Sequence, residues 1–325
     1  MISNIKTNEK QLIKMSIGGY ATQPSFKNPG YIPNNDGQAV IYPGMFGVVN
    51  NVKVGDKAFG WAGDHIEPGV SIDSENLNEH FALHYLVCTG NQAIVRSGEA
   101  KGSIGIVTGE HARNLVHFNQ KILNKICIGD QIDIITHGRG LKLLDFPNIE
   151  LKKIDPKLLK SMTLKVVNKK LIVDVAIELP IRIMGSGAEL NSEYVDQDLM
   201  SGDRNLMKKL KIDQMRLGDL IVINHADHRW GRSYKKNHIS IAICIHGDSV
   251  MTGHGPGIMT IMTGHKKDLG WKINKKANIK KLPMQRGDIA KTHADINLIK
   301  SELNYSPKTN IKTGIKKFID WYLEY

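Results

Sequence analysis

The chain has 325 residues, 41% hydrophobic and 23% charged, with 44 Lys and Arg against 32 Asp and Glu for a net charge of +12. That composition excludes wholesale disorder, collagen and coiled coil, and the length suits two domains with a small appendage. No run approaches the ~18 uninterrupted apolar residues of a membrane span; the best stretch, 171–181, is broken by Asp174, Glu178 and Pro180.

The first residues, MISNIKTNEKQ, hold no apolar segment of the kind that directs secretion, so a cytoplasmic protein is expected. Residues 1–50 are rich in Gly, Pro and Asn and predict loops and short strands. An apolar approach, Gly-Asp and a further apolar run then recur at 52–61, 126–135 and 215–224. Gly-Asp supplies a turn and the run beyond supplies a strand, so Asp56, Asp130 and Asp219 read as turn residues. Strands are predicted at 104–108, at 164–167 with 171–177 as a hairpin, and at 238–246. In the last, Ile239, Ile241, Ile243 and Ile245 share one face by period two. Helices are predicted at 76–87, 120–126 and 201–210. Many strands and few, irregularly placed helices argue for a β-rich α+β fold of two mixed β halves, with a seam near Pro147–Pro156. The expected domains are 1–150, 151–271 and a tail over 272–325.

The tail is helix, loop, helix. Asp295 is placed to cap a helix running to Leu303, and Asn304 and Pro307 to stop it. Thr309 is placed to cap a second helix, in which Ile311, Ile315, Phe318 and Tyr322 form one stripe. Residues 273–325 also carry half of the positive surplus, with eleven Lys and Arg against five Asp and Glu. No aromatic-studded basic motif accompanies that charge, so neither nucleic acid nor membrane is an expected partner. Cys88, Cys127 and Cys244 are far apart in apolar settings and read as reduced core residues.

Three loops concentrate chemistry. In Gly63-Asp64-His65-Ile66-Glu67-Pro68-Gly69, three metal-capable side chains lie within four residues of a tight loop. Asp227 and His228 follow the predicted strand at 220–223, with Arg229 and Arg232 placed to clamp a carboxylate or phosphate. In Thr252-Gly253-His254-Gly255-Pro256-Gly257, glycine amides can bind an anion beside a histidine. Asp64, His65, Asp227 and His228 are therefore the expected ligands of one divalent metal, and Glu67 and His254 the catalytic residues. Arg229, Arg232, Gly255 and Gly257 are the expected substrate contacts. Ser186, within Gly185-Ser186-Gly187, is a nucleophile only if a base lies beside it. His111 and His117 read as core or surface histidines.

Two resemblances add to this. Residues 1–271 resemble an uncharacterised bacterial and archaeal family, domain-of-unknown-function family 4438. The stretches that carry it are Gly60 to Ser71, Gly138-Arg139-Gly140-Leu141-Lys142, Leu217-Gly218-Asp219-Leu220, Asp227 to Tyr234 and His254-Gly255-Pro256-Gly257. That family brings no established reaction. The layout is also similar to acetamidase/formamidase hydrolases, which implies β-rich halves and a metal site of acidic and His ligands. Residues 276–325 resemble the C-terminal end of UDP-glucuronate epimerases. The carriers are Met284-Gln285-Arg286-Gly287-Asp288, Thr292-His293-Ala294-Asp295-Ile296, Tyr305-Ser306-Pro307-Lys308-Thr309, and Gly314-Ile315 with Phe318, Trp321 and Tyr322. The family's Gly-rich NAD loop and Tyr-x-x-x-Lys pair are absent here, so no NAD is expected and epimerisation is not the expected activity.

The sequence therefore supports a metal-dependent hydrolase of a small amide or related anionic substrate, with a homo-oligomer as a further expectation. A non-catalytic small-anion-binding protein remains open, as does sugar-nucleotide binding through the tail.

Overall fold

The computed structural model describes residues 5–24, 31–34, 36–187, 196–281, 297–303, 306 and 308–324. Residues 1–283 form one compact unit and 284–325 a second. The fold is β-rich with few helices.

The N-terminal half builds a seven-stranded antiparallel sheet. Its order is Met15–Ala21, Gln131–Thr136, Gln92–Val95, Ile104–Glu110, Asn114–His117, Gly69–Asp73, Val48–Val49. Met15–Ala21 also pairs with Gly69–Asp73, which closes six of these strands into a barrel and removes their free edges. Residues 1–50 were expected to hold loops and short strands; Ile32–Pro33, Ala39–Val40 and Val48–Val49 are two residues each, while Met15–Ala21 is longer, at seven. Its Gly18-Gly19 hides the strand signal. Gly19 is required by the closure, since a Cβ there would lie 2.8 Å from Ile72 Cγ2 and 3.0 Å from the Asp73 carbonyl. The barrel core includes Val70, Ile72, Val95, Val116, Ile132 and Ile134.

The C-terminal half builds a mixed sheet in the order Glu150–Leu151, Gly257–His265, Tyr234–His246, Leu220–Ala226, Ile177–Pro180. The short strand Asp196–Asp198 pairs with the start of Gly257–His265. The predicted strand at 238–246 lengthens to 13 residues, and its period-two pattern sorts it between two cores. Ile239, Ile241, Ile243 and Ile245 join one; Ala242 and Cys244 join the other. A strand buried on both faces is a sheet centre.

The hairpin Leu164–Val167/Lys170–Val175 turns through Asn168 and Lys169, both with positive φ, the turn that matches strand twist. Each of the three Gly-Asp motifs is a turn of one kind. The Asp56, Asp130 and Asp219 carboxylates accept the amide three residues back, at 3.0, 2.8 and 2.8 Å. The same turn lifts Cys127 to the surface, where a core position was expected; Cys88 and Cys244 are buried.

Helix Leu77–Leu86 is capped by Asn76, whose side chain accepts from the amides of Asn78 and Glu79. The helix expected over 120–126 is only Gln120–Leu123, and that expected from Ser201 starts at Arg204 behind an Asp203 cap. In the second unit, Asn297–Leu303 and Ile311–Glu324 are helices. Asn310, not Thr309, caps the latter by accepting the Thr313 amide at 3.0 Å. Ile311, Ile315, Phe318 and Tyr322 are exposed. The Asp295 cap, the stops at Asn304 and Pro307, and most of the residues shared with the epimerases lie outside the described residues.

Candidate metal centre

The loop expected to bind metal is held rigidly. His65 takes a left-handed backbone conformation, φ 52°, which is unusual for a non-glycine residue. Its amide donates to the Asp248 carbonyl at 3.0 Å, and the Asp64 amide donates to the Pro43 carbonyl at 2.9 Å. Gly44 lets that backbone pass, because a Cβ there would lie 2.6 Å from the Asp64 carbonyl oxygen.

Asp64 and Glu67 serve histidines. Asp64 Oδ2 meets His65 Nδ1 at 2.8 Å, while its Oδ1 accepts from Ser249 Oγ at 2.6 Å and the Val250 amide at 3.1 Å. Glu67 Oε1 meets His111 Nδ1 at 2.7 Å, and its Oε2 accepts from the Phe46 amide at 3.1 Å and from Ser71 Oγ. Glu67, expected as general base, is fully buried with both oxygens engaged. It orients His111. With Nδ1 held by a carboxylate, each ring turns Nε2 inward, the arrangement that supports a metal-ligating histidine.

Two groups of ligand atoms lie where these rings point: His65, Asp198 and His254, and His111, Asp196 and His246. Within each group the atoms lie within 4.8 Å of one another. His65 Nε2 is 3.3 Å from Asp198 Oδ2 and 3.2 Å from His254 Nδ1, and His254 Nδ1 is 2.7 Å from Asp198 Oδ2. Tetrahedral ligands at ~2.1 Å from one ion are ~3.4 Å apart, close to the first two separations. Asp198 joins the groups, since its Oδ1 lies 3.2 Å from His246 Nε2. That pair is not in hydrogen-bond geometry, and both atoms are buried without a hydrogen-bond partner among the described residues. His246 Nδ1 lies 2.8 Å from the Gly247 carbonyl and 3.2 Å from the Gly257 amide, which fixes the ring with Nε2 facing the centre. The His65 ring centroid is 5.7 Å from that of His111 and 5.1 Å from that of His246.

Local structure explains who arrives. Residues alternate faces along Asp196–Asp198, so both aspartates face the centre and Gln197 faces away. Gln197 instead meets His228 Nδ1 at 3.1 Å, and His228 also meets Thr260 Oγ1 at 2.8 Å. His228 is therefore on the far side of this strand, and burial lowers its pKa to about 4. Asp227 is bound by Arg229 at 2.9 and 2.7 Å and by Lys235 at 3.3 Å. Neither Asp227 nor His228 joins a ligand group, and Arg229 and the exposed Arg232 are not arranged around this centre as a clamp.

Gly255 and Gly257 lack the positive φ of an anion nest. A Cβ at Gly255 would strike the Leu199 carbonyl, and one at Gly257 would strike the His246 ring. They provide room. Ser186 Oγ donates to Asp198 Oδ2 at 2.9 Å and lies 3.1 Å from His254 Nδ1. A third group, Asp73, His80 and His84, is charge-balanced already, with Arg113 on Asp73 and with Glu110, paired to Lys153, 2.8 Å from His84.

The charges follow from this packing. Burial alone would lower the His65 pKa, but hydrogen bonds to Asp198 and Asp64 raise it to about 10. Burial opposes ionisation of Asp198, yet His246, His254 and His65 hold its carboxyl far below the usual range. Burial lifts Asp196 to about 6. His65 therefore carries a proton at neutral pH in the metal-free chain, and an incoming cation must displace it. Affinity for zinc should rise with pH through neutrality toward pH 10, with net proton release in calorimetric titrations run in two buffers of different ionisation enthalpy. Uptake independent of both pH and buffer would contradict this assignment. The raised pKa stabilises the metal-free fold below ~6.5, and that contribution fades as pH rises through about 10.

Residues 31–160 match the model "Domain of unknown function (DUF4438), N-terminal", and residues 161–282 match its C-terminal counterpart. The chain belongs to the DUF4438 family. It is similar to the crystal structure of TM1086, with a TM-score of 0.83 and 37% identity, covering 87% of this chain and 100% of that one. The C-terminal family model ends at residue 282, just before the second unit. There the chain is 48% identical over 54 residues to UDP-glucuronate 4-epimerase 4 of Arabidopsis thaliana, and 48% identical over 52 residues to uncharacterized protein MJ1055 of Methanocaldococcus jannaschii. It is also 37% identical over 54 residues to protein CapI of Staphylococcus aureus. These matches cover 16–17% of this DUF4438 chain and only 12–16% of those proteins. Among the described residues, no helix of the DUF4438 chain is long and apolar enough to cross a membrane.

Proposed function

We propose that this chain is a metal-dependent hydrolase with a two-ion centre, acting on an amide or related bond of a small molecule. The observation that carries the reading is the convergence of His65, His254, His111, His246 and Asp196 on Asp198, with Asp64 and Glu67 orienting two of the rings. Imidazole and carboxylate donors suit first-row divalent ions. A pair of such ions supplies a polarised carbonyl and an activated water. The chain does the rest. Asp198 would be shared by the two ligand groups, Asp64 and Glu67 fix ring orientation, and Asp196 would be placed to accept a proton from water. That role was expected of Glu67. His254 is the most open ligand, with 28% of its side chain exposed, and marks the side where substrate enters.

The reading needs neither Arg229 nor Arg232, because charge on the substrate would be met by the ions. A purely anion-binding role has less support, since no built cationic clamp lies at this centre among the described residues. Sugar-nucleotide binding through the tail rests on a fragment of the epimerase length alone. The test is elemental analysis of untagged protein after incubation with zinc, manganese or cobalt, followed by a panel of small amides and esters. About two bound equivalents and metal-dependent turnover are expected. Folded protein that retains no metal would overturn the reading.

A further inference from the structure

Beside this centre lies a cavity of about 940 Å³ whose walls the metal ligands do not form. Small-molecule sites usually span ~300–1,000 Å³ and are mostly apolar. The floor here is Phe46, Val52 and Ile66, all buried; Ile41 and Trp61 stand at the rim, more than a third exposed. The cavity shares its walls with the supports of the centre. Asp64 and Ile66 flank His65, the Phe46 amide holds Glu67, and the carbonyl of Met251, another lining residue, accepts the His254 amide at 3.2 Å.

Charge decides what fits. Among the described residues no Lys or Arg lines the cavity, and Asp64 is the one charged residue lining it, with both oxygens already committed to His65, Ser249 and Val250. Arg113 lies over the Phe46 ring, but it is bonded to Asp73. An anionic group here would find no counter-charge among the described lining residues and would lose its hydration. Asn50 and Asn51 offer hydrogen bonds to a neutral polar group at most. A second cavity, of about 470 Å³, differs in kind: Lys57, Glu178, Lys211, Arg216 and Lys275 are among its lining residues.

We infer that this cavity is the binding site for a neutral apolar group, an aliphatic or aromatic acyl chain, on the molecule whose polar end reaches the metal centre. The binding part stands on the cavity; the acyl part rests on the hydrolase reading above. It narrows the substrate class to amides or esters of apolar acids.

Two measurements separate the two ideas. The first is fluorescence titration with the neutral probe N-phenyl-1-naphthylamine, on wild type, Val49→Trp and Ile41→Trp. Both positions line the cavity, and Ile41 is exposed enough for its variant to fold. Saturable binding near one equivalent is expected, weakened at least ~10-fold in each variant with metal content and circular dichroism unchanged. No binding to folded wild type, or equal binding to the variants, would overturn the cavity assignment. The second measurement is hydrolysis of a p-nitroanilide series from acetyl to octanoyl and benzoyl. The octanoyl-to-acetyl ratio of kcat/KM should exceed one in wild type and fall at least ~10-fold in the variants. A ratio unaffected by filling the cavity would overturn the acyl assignment. Probe binding that behaves as expected, with no member of the series hydrolysed, would retain the pocket and reject the hydrolase.

Discussion

Replacing Asp198 by asparagine should empty the centre. Its two oxygens serve different partners, Oδ2 facing His65 and His254, Oδ1 facing His246. Asparagine keeps the shape but removes the charge and turns one oxygen into a donor. Metal content should drop from about two equivalents to near zero, and metal-dependent turnover by at least ~100-fold. The control is Asp227→Asn, an equally buried aspartate bound to Arg229, which should leave metal content alone. Loss of one equivalent only would mean that Asp198 belongs to a single ion. Retention of both would remove it from the ligand set. The metal-free Asp198→Asn protein should also show a smaller rise in the His65 pKa, because Asp198 is one of the two carboxylates that raise it, Asp64 being the other.

The second large effect is expected from a methyl group. A Cβ at Gly257 would occupy the place of the His246 ring, close to Nε2. The ring cannot retreat cheaply. It is fully buried, its Nδ1 is tied to the Gly247 carbonyl, and its strand is central in the sheet. Gly257→Ala should therefore displace His246, cost ~1–3 kcal/mol of stability as overpacking does, and remove one metal equivalent. Thermal denaturation and elemental analysis read the two parts separately. The neighbouring Gly264→Ala, in the same strand, is the comparison. Its Cβ would make ordinary contacts at 3.4 Å or more, so metal content should be unchanged. Wild-type metal content in Gly257→Ala would show that His246 is not a ligand.

Parts of the site could be read from the chain because they are local. The loop at 63–69 declares itself by packing Asp, His and Glu among glycines, and His254 by standing between glycines. Their roles are less legible: Asp64 and Glu67 meet the His65 and His111 rings, and in the proposed centre they orient them. The other ligands carry weak local signals. Asp196-Gln197-Asp198 is an alternating pair of carboxylates with no flanking motif, and a three-residue strand is too short for periodicity to register. His246 closes a run of alternating isoleucines and reads as its polar end. His111 follows a strand, where a histidine reads as a core or surface residue. Asp227-His228 looked as suitable as any of these, and only sheet register places it behind Gln197. The fold was legible where patterns are long, as in the strand over 238–246 and the hairpin at 168–169. It was hidden where barrel closure demanded glycine at 19.

The six donor residues stand at 65, 111, 196, 198, 246 and 254. They come from both halves of the chain and are up to 189 positions apart. No partly folded form containing one half can assemble the cluster, so an ion bound there recognises only the finished fold. Such selective binding is itself a source of stability. At a free concentration of 100 times its Kd, an ion at one site adds about 2.7 kcal/mol to the folded state. The centre would act as a latch across the two sheets, so that metal supply would set the chain's lifetime against unfolding.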